Sequence, residues 1–184
     1  MARKPADVRM MNKAVHYLGR YSSSRHKLAQ VLQRFADRKL ADYDPQDIRA
    51  ALEQTLNQCA KLGYIDDWQF AVTTARSQRR LGRSQAVIRQ RLRQHALDDD
   101  TIMQALAEAD EDSIDGDLQA AIRFAQRRRL GPFANRTSAS HLRYDPQQWR
   151  QRDLGAMARA GFSFATARKI IEHDDPDTID ELLD

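Results

Sequence analysis

From one end of this chain to the other, apolar residues fall three and four positions apart, and very little interrupts them. Leu28, Val31, Leu32 and Phe35 follow the i, i+3, i+4, i+7 pattern, as do Trp68, Ala71, Val72 and Ala75. Ile102, Ala105, Leu106 and Ala109 repeat it, then Leu118, Ala121, Ile122 and Ala125, while Ile48, Leu52, Leu56 and Cys59 hold one face at near-helical spacing. Such spacing places side chains on one stripe of a 3.6-residue helix, and no stretch of five or more residues alternates as a half-buried strand does. Only seven glycines and five prolines occur in 184 residues. The sequence predicts an all-α fold.

Helix ends can be read from the punctuation. Ser22-Ser23-Ser24 can cap a helix beginning near Arg25, and Asp44-Pro45 and Asp145-Pro146 each place a capping acid before a proline at the first helical position. Gly63, Gly82, Gly131-Pro132 and Gly161 are stops, Asp66 or Asp67 opens one helix and Ser84 another. Helices are expected near 7–20, 24–38, 45–62, 67–81, 84–95, 99–109, 115–130, 146–160 and 164–173, with a loop over 133–144 and an acidic tail over 174–184. A shift of 60 lays Ser24, Leu28 and Leu32 on Ser84, Ile88 and Leu92, and a shift of about 65 lays Leu92, Leu97 and Leu106 on Met157, Phe162 and Ile171. Three tandem three-helix repeats are one reading. Amphipathic helices that align merely by their period are the other. The core is expected to hold Leu28, Leu32, Leu52, Leu56, Trp68, Phe70, Val72, Ile88, Leu92, Ile102 and Leu106.

A chain of this length buries roughly 70% of its unfolded surface without metal or disulfide, and its one cysteine, Cys59, permits neither an internal disulfide nor a thiolate zinc cluster. Mean hydropathy is −0.73 and no apolar run approaches the ~20 residues of a membrane span. Residues 1–8 are charged and carry no apolar signal core. A soluble, cytoplasmic, monomeric protein is expected. The net charge of +4 hides strong segregation. Residues 1–40 hold ten Lys/Arg against Asp7 and Asp37; residues 68–97 hold seven arginines and no acid; residues 98–117 hold nine acids and no base. Such blocks suit a polyanionic or mixed-charge macromolecular partner, or else a row of solvated helix faces.

Catalytic patterns are missing. Neither a P-loop nor a glycine-rich phosphate turn occurs, and the histidines (16, 26, 95, 141 and 173) are scattered without metal-ligand spacing. His95 is explained by its place at a helix C-terminus. Cys59 reads as a packed thiol beside Leu56 and Leu62, with no histidine to activate it. Asp66-Asp67 reads as a helix cap. No enzyme, cofactor or metal site is expected. The positive signal is arginine on helices: Arg76, Arg79, Arg80 and Arg83 at i, i+3, i+4, i+7, Arg89 and Arg93 four apart, and Arg127, Arg128 and Arg129 crowding one helix end. A planar guanidinium fork suits phosphate and carboxylate alike, and clustering it without acids stores repulsion that a partner relieves. These nine arginines are the candidate partner-binding residues.

The segment Gly63-Tyr64-Ile65-Asp66-Asp67-Trp68-Gln69-Phe70-Ala71, followed by Arg76, Arg79-Arg80, Gly82, Ile88, Leu92, Ile102 and Leu106, resembles the RecX family of regulatory proteins. Tyr21-Ser22 to Lys27-Leu28, Arg129-Leu130-Gly131-Pro132-Phe133 and Arg159-Ala160-Gly161-Phe162-Ser163-Phe164 fit as well, so the resemblance covers about residues 12–173. Three departures stand out: Gly82-Arg83 where the family has Gly-Pro, an insertion over roughly 37–44, and a polar loop from Ala134 to Tyr144 with Ala167 at a core position of the third repeat. The resemblance implies three tandem three-helix repeats in an elongated, curved array: residues 1–62 as N-terminal helices and first repeat, 63–112 as central repeat, 113–173 as third repeat and 174–184 as acidic tail. It implies binding to the RecA–DNA filament and lower recombinase, ATPase and co-protease output, and hence a role in recombination, repair and the SOS response. In the diagnostic motif, Tyr64, Ile65 and Phe70 are expected to pack between repeats, Asp66 to cap, and Gly63, Asp67 and Ala71 to serve architecture. The alternative is a direct regulator of single- or double-stranded DNA, with Arg89, Arg91 and Arg93 on the recognition helix of a helix-turn-helix.

Overall fold

The computed structural model describes residues 5–113, 115–134, 145–173 and 175–183. Among them are nine α-helices and no strand: α1 (Ala6–Leu18), α2 (Arg25–Lys39), α3 (Pro45–Lys61), α4 (Asp67–Arg80), α5 (Gln85–Arg93), α6 (Asp99–Ala109), α7 (Gly116–Arg128), α8 (Pro146–Arg159) and α9 (Phe164–Ile171). Short 3₁₀ turns cover Gly131–Phe133 and Ile179–Leu183. Each helix boundary lies within two residues of its sequence-derived position. The loop expected over 133–144 falls largely outside the described residues. The acidic tail is not wholly detached, because Ile179 is buried.

Local chemistry explains the boundaries. Ser24 Oγ accepts from the Lys27 N–H, Asp44 from Gln46, Asp98 from Thr101, Asp115 from Asp117 and Leu118, and Ser163 from Thr166. Each bond satisfies one of the orphan donors of a helix start. Pro146 opens α8 as expected, but Asp145 makes no capping bond through its side chain. Gly82 ends α4 at φ +65°, and a Cβ there would meet Ala120 O at 3.0 Å and Phe124 N at 3.1 Å. Only glycine fits that conformation and that closeness together.

The chain divides into two compact units, one of residues 1–71 and 94–97, the other of 72–93 and 98–184. In the first, α1, α2 and α3 pack on one another around Ala14, Leu28, Leu32, Leu56, Cys59 and Ile65, with a second cluster of Ala6, Met10, Ala36, Leu40 and Ala51. In the second, α7, α8 and α9 enclose Leu118, Ile122, Phe124, Met157, Phe162, Ile170 and Ile171, and Ile88, Leu92, Ile102 and Leu106 are buried on α5 and α6. The expected core is largely present. Leu52 and Phe70 are half-buried. Trp68 is the exception at 37% exposed, because α4 turns Ala71, Val72 and Ala75 inward and leaves the larger indole at the edge of that face.

Candidate functional site

The central arginine stripe is not one surface. Arg79 is 6% exposed. Its Nε and Nη2 donate to both carboxylate oxygens of Asp110 at 2.9 and 2.7 Å, and its Nη1 donates to Asp117 at 2.6 Å and to the Arg83 carbonyl at 3.3 Å. Burial alone would push the guanidinium's pKa down; hydrogen bonds and attraction from the two aspartates outweigh it and hold the value above its usual level. The expectation that Arg79 faces a partner is therefore corrected: its charge is neutralised inside the protein. Arg76 pairs with Glu108 at 2.9 Å and Arg93 with Asp99 at 2.8 Å. Every one of these ion pairs joins the arginine block 68–97 to the acidic block 98–117. For these three arginines the missing partner of the sequence reading is the neighbouring block.

Arg80 and Arg83 are exposed and have no carboxylate partner among the described residues. Arg89 is half-buried, and its Nε is buried without a hydrogen-bond partner. Arg91 and Arg93 on the same helix are exposed, Arg93 within its surface pair with Asp99. Arg127 donates to the Leu81 carbonyl at 2.6 Å and lies, like Arg128, 5.9 Å from the centre of the Phe124 ring.

Arg128 and Arg129 also open onto a cleft of about 870 Å³ between the end of α7 and α8, where Trp149, Arg152 and Arg159 line the other wall. The Arg152 guanidinium carbon lies over the Trp149 ring, 5.0 Å from its centre. Among the described residues Asp153 is the one carboxylate lining the cleft, and it accepts the Gly131 N–H at 2.9 Å. Trp149 and Arg152 lie in a segment of weak apolar patterning and were not singled out in the sequence, and Arg159 entered it only through the Arg159-Ala160-Gly161-Phe162 turn.

The diagnostic motif is architectural, in a sharper way than expected. Gly63 has φ +70°. Ile65 joins the core of the first unit and Ala71 is fully buried. Asp66 caps α4 through the Gln69 N–H at 3.0 Å. Asp67 reaches across to accept the Arg25 N–H at the start of α2, at 2.7 Å. Phe70 packs against His95 with the rings tilted by 50° and their centres 4.6 Å apart, and His95 Nδ1 lies 3.0 Å from Ser24 Oγ. Tyr64 departs from its expected packing role: it is 52% exposed.

The same bonding recurs in the second unit. Asp117, near the start of α7, accepts the Gln85 N–H at the start of α5 at 2.6 Å, and Ser84 Oγ donates to the Ala160 carbonyl after α8 at 2.7 Å. Asp67 to Arg25 and Ser24 to His95 are thus repeated as Asp117 to Gln85 and Ser84 to Ala160, at shifts of 50 to 65 residues. An accident of helix periodicity would align apolar faces but not these polar contacts.

The architecture defines the class: an all-α protein of the multi-helical repeat kind. A family profile described as the second three-helix domain of RecX matches residues 66–106. Regulatory protein RecX of Myxococcus xanthus is 33% identical over 172 residues, covering 92% of this chain and 88% of that protein. Regulatory protein RecX of Agrobacterium fabrum is 29% identical over 161 residues, covering 87% and 80%. Two solved RecX structures share the fold at low identity: one has TM-score 0.67 and 16% identity, covering 91% of this chain and 74% of its own, and that from Lactobacillus salivarius has 0.65 and 15%, covering 92% and 96%. The chain belongs to the RecX family of regulatory proteins.

Proposed function

We propose that this chain is a non-enzymatic regulator that binds the RecA–DNA filament and lowers its recombinase, ATPase and co-protease output, with consequences for recombination, DNA repair and the SOS response. The observation that carries this reading is the match to a curated regulatory protein along nearly the whole of both chains. We read the helices as three repeats over 1–62, 63–112 and 113–173, joined by the recurring aspartate and serine contacts. A filament offers protein carboxylates and bound nucleic acid together, and the arginines still able to meet them are Arg80, Arg83, Arg128 and Arg129 rather than Arg79.

ATP hydrolysis by RecA on single-stranded DNA, measured with this protein at substoichiometric ratios, tests the reading. Hydrolysis should fall with increasing protein and recover as salt rises, since charge pairing is screened over about 8 Å at physiological ionic strength. Replacing both Arg80 and Arg83 by Glu should weaken inhibition without loss of helicity. Unchanged hydrolysis at equimolar wild-type protein would refute the proposal.

A further inference from the structure

The basic block at 68–97 finds acids within the chain, whereas much of the one at 1–40 does not. In that first block Arg25 pairs with Glu53 at 3.1 Å, and Arg9 donates to the Tyr43 hydroxyl at 3.3 Å. Lys13, Arg34, Arg38 and Lys39 have no ion pair among the described residues. These four come together in the first unit, where α1 and α2 frame a groove of about 410 Å³ whose apolar part is Val31 and Phe35. Among the described residues no carboxylate lines it. Asp37, on the same helix, accepts the Gln33 amide at 2.8 Å. Residues four apart are neighbours on a helix surface, so α2 carries two rows here. One is apolar, the half-buried Val31 and Phe35; the other is basic, the exposed Arg34 and Arg38.

We propose that this groove docks an acidic amphipathic helix of a partner protein. The partner sets two apolar side chains, one turn apart, on Val31 and Phe35, and its flanking carboxylates meet Lys13, Arg34, Arg38 and Lys39. The charge is complementary, and the apolar row rewards only a partner that has apolar side chains to bury. The backbone of α2 is bonded within its own helix and no strand edge occurs among the described residues, so an extended segment would find no main-chain partner. A helix arrives with its backbone already satisfied. From Val31 to Lys39 the groove runs about 12 Å at 1.5 Å per residue, the length of about two helical turns. A phosphodiester chain would meet the cations but leave the apolar row uncovered, and the Arg9 guanidinium already lies over the Phe35 ring, 5.9 Å from its centre. None of these residues is among the arginines assigned to the filament, so failure here and failure of that reading are separate results.

The probe is a fluorescein-labelled peptide of about 16 residues that repeats Glu-Ala-Ala-Leu-Glu-Glu-Ala-Leu, a helical pattern with leucines one turn apart. Its anisotropy should show saturable binding to the full chain that weakens as salt rises. Two altered peptides leave the protein untouched: with the leucines replaced by serine, or the glutamates by glutamine, binding should weaken at least about tenfold. The R34Q/R38Q variant should bind the original peptide about fivefold more weakly, as loss of two exposed ion pairs predicts. Both side chains are exposed, so its far-UV circular dichroism should match the parent's. Absence of saturable binding by the parent up to about 1 mM peptide would overturn the proposal. So would equal affinity for the serine peptide, which would make the groove a generic polyanion surface, or equal affinity in R34Q/R38Q. Displacement of the peptide by oligothymidylate at equal charge concentration would also overturn it and assign the groove to nucleic acid.

Discussion

Replacing Arg79 by Met keeps the length and apolar stem of the side chain and removes only the guanidinium. Two aspartates and the Arg83 carbonyl then face each other without their shared donor, beside a side chain that was 7% exposed. Removing one partner of a fully buried ion pair costs about 3–5 kcal/mol, mostly because the remaining charge is stranded. Asp110 and Asp117 are 23% and 24% exposed, so water can reach them in part, and Asp117 keeps its bond to the Gln85 N–H. Those two facts place the loss near the lower limit, about 3 kcal/mol. At this chain length that is a fall in Tm of about 6–12 °C. Thermal and urea unfolding followed by far-UV circular dichroism would read it, with R80M as the control: Arg80 is exposed, so its change should stay within about 0.5 kcal/mol. D110N should cost less in the R79M background than in the parent, because the pair is already broken. If R79M melts within about 2 °C of R80M, the triad carries no stability and the internal neutralisation argued for the arginine block is wrong.

Asp67→Ala should cost about 1 kcal/mol by unpairing the Arg25 N–H, as for loss of a helix cap generally, and urea titration would measure it. Leu92→Ala, in a site with no exposed surface, should cost about 2–5 kcal/mol in the same titration. Burial pushes the Cys59 thiol up, so the folded protein holds that proton more tightly than the unfolded chain. This contribution to stability is complete below the ordinary thiol range and is lost as pH rises through the folded value; iodoacetamide should label Cys59 only in denaturant. Hydrogen bonds from the Thr101 backbone and hydroxyl hold Asp98 below the usual carboxylate range. Its contribution is present above that range and is lost as pH falls through the folded value, and D98A should remove this part of the acid-side titration of α6.

The helices were legible because their signals are local. A cap, an apolar stripe and a stop all lie within one helix length, and Ser24, Gly63, Asp98 and Ser163 each act on neighbours a few residues away. Side-chain pairing is not local. Arg79 finds its acids 31 and 38 residues on, and a stripe at i, i+3, i+4, i+7 does not say which of its members the next helices cover. One signal was available: an arginine block with no acid directly before an acidic block with no base. Two adjacent segments of opposite sign can neutralise each other as readily as they can seek an outside partner, and Arg76, Arg79 and Arg93 all do so.

Asp66-Asp67 shows the same division within one dipeptide. Asp66 serves its own helix, which the sequence allows one to infer, while Asp67 serves α2, which it does not. A sequence rule that assigns one cap per helix treats the second aspartate as spare. Its counterpart Asp117 does two things, holding the Gln85 N–H and the buried Arg79 guanidinium together. Arg79 is therefore an addition to a shared pattern: the aspartate-to-backbone bond occurs at both junctions, and only the second adds a buried cation to it. That places the central arginine's role in joining helices, where its loss would strand two aspartates, and sets it apart from Arg80 and Arg83, which are exposed and whose removal the fold can tolerate.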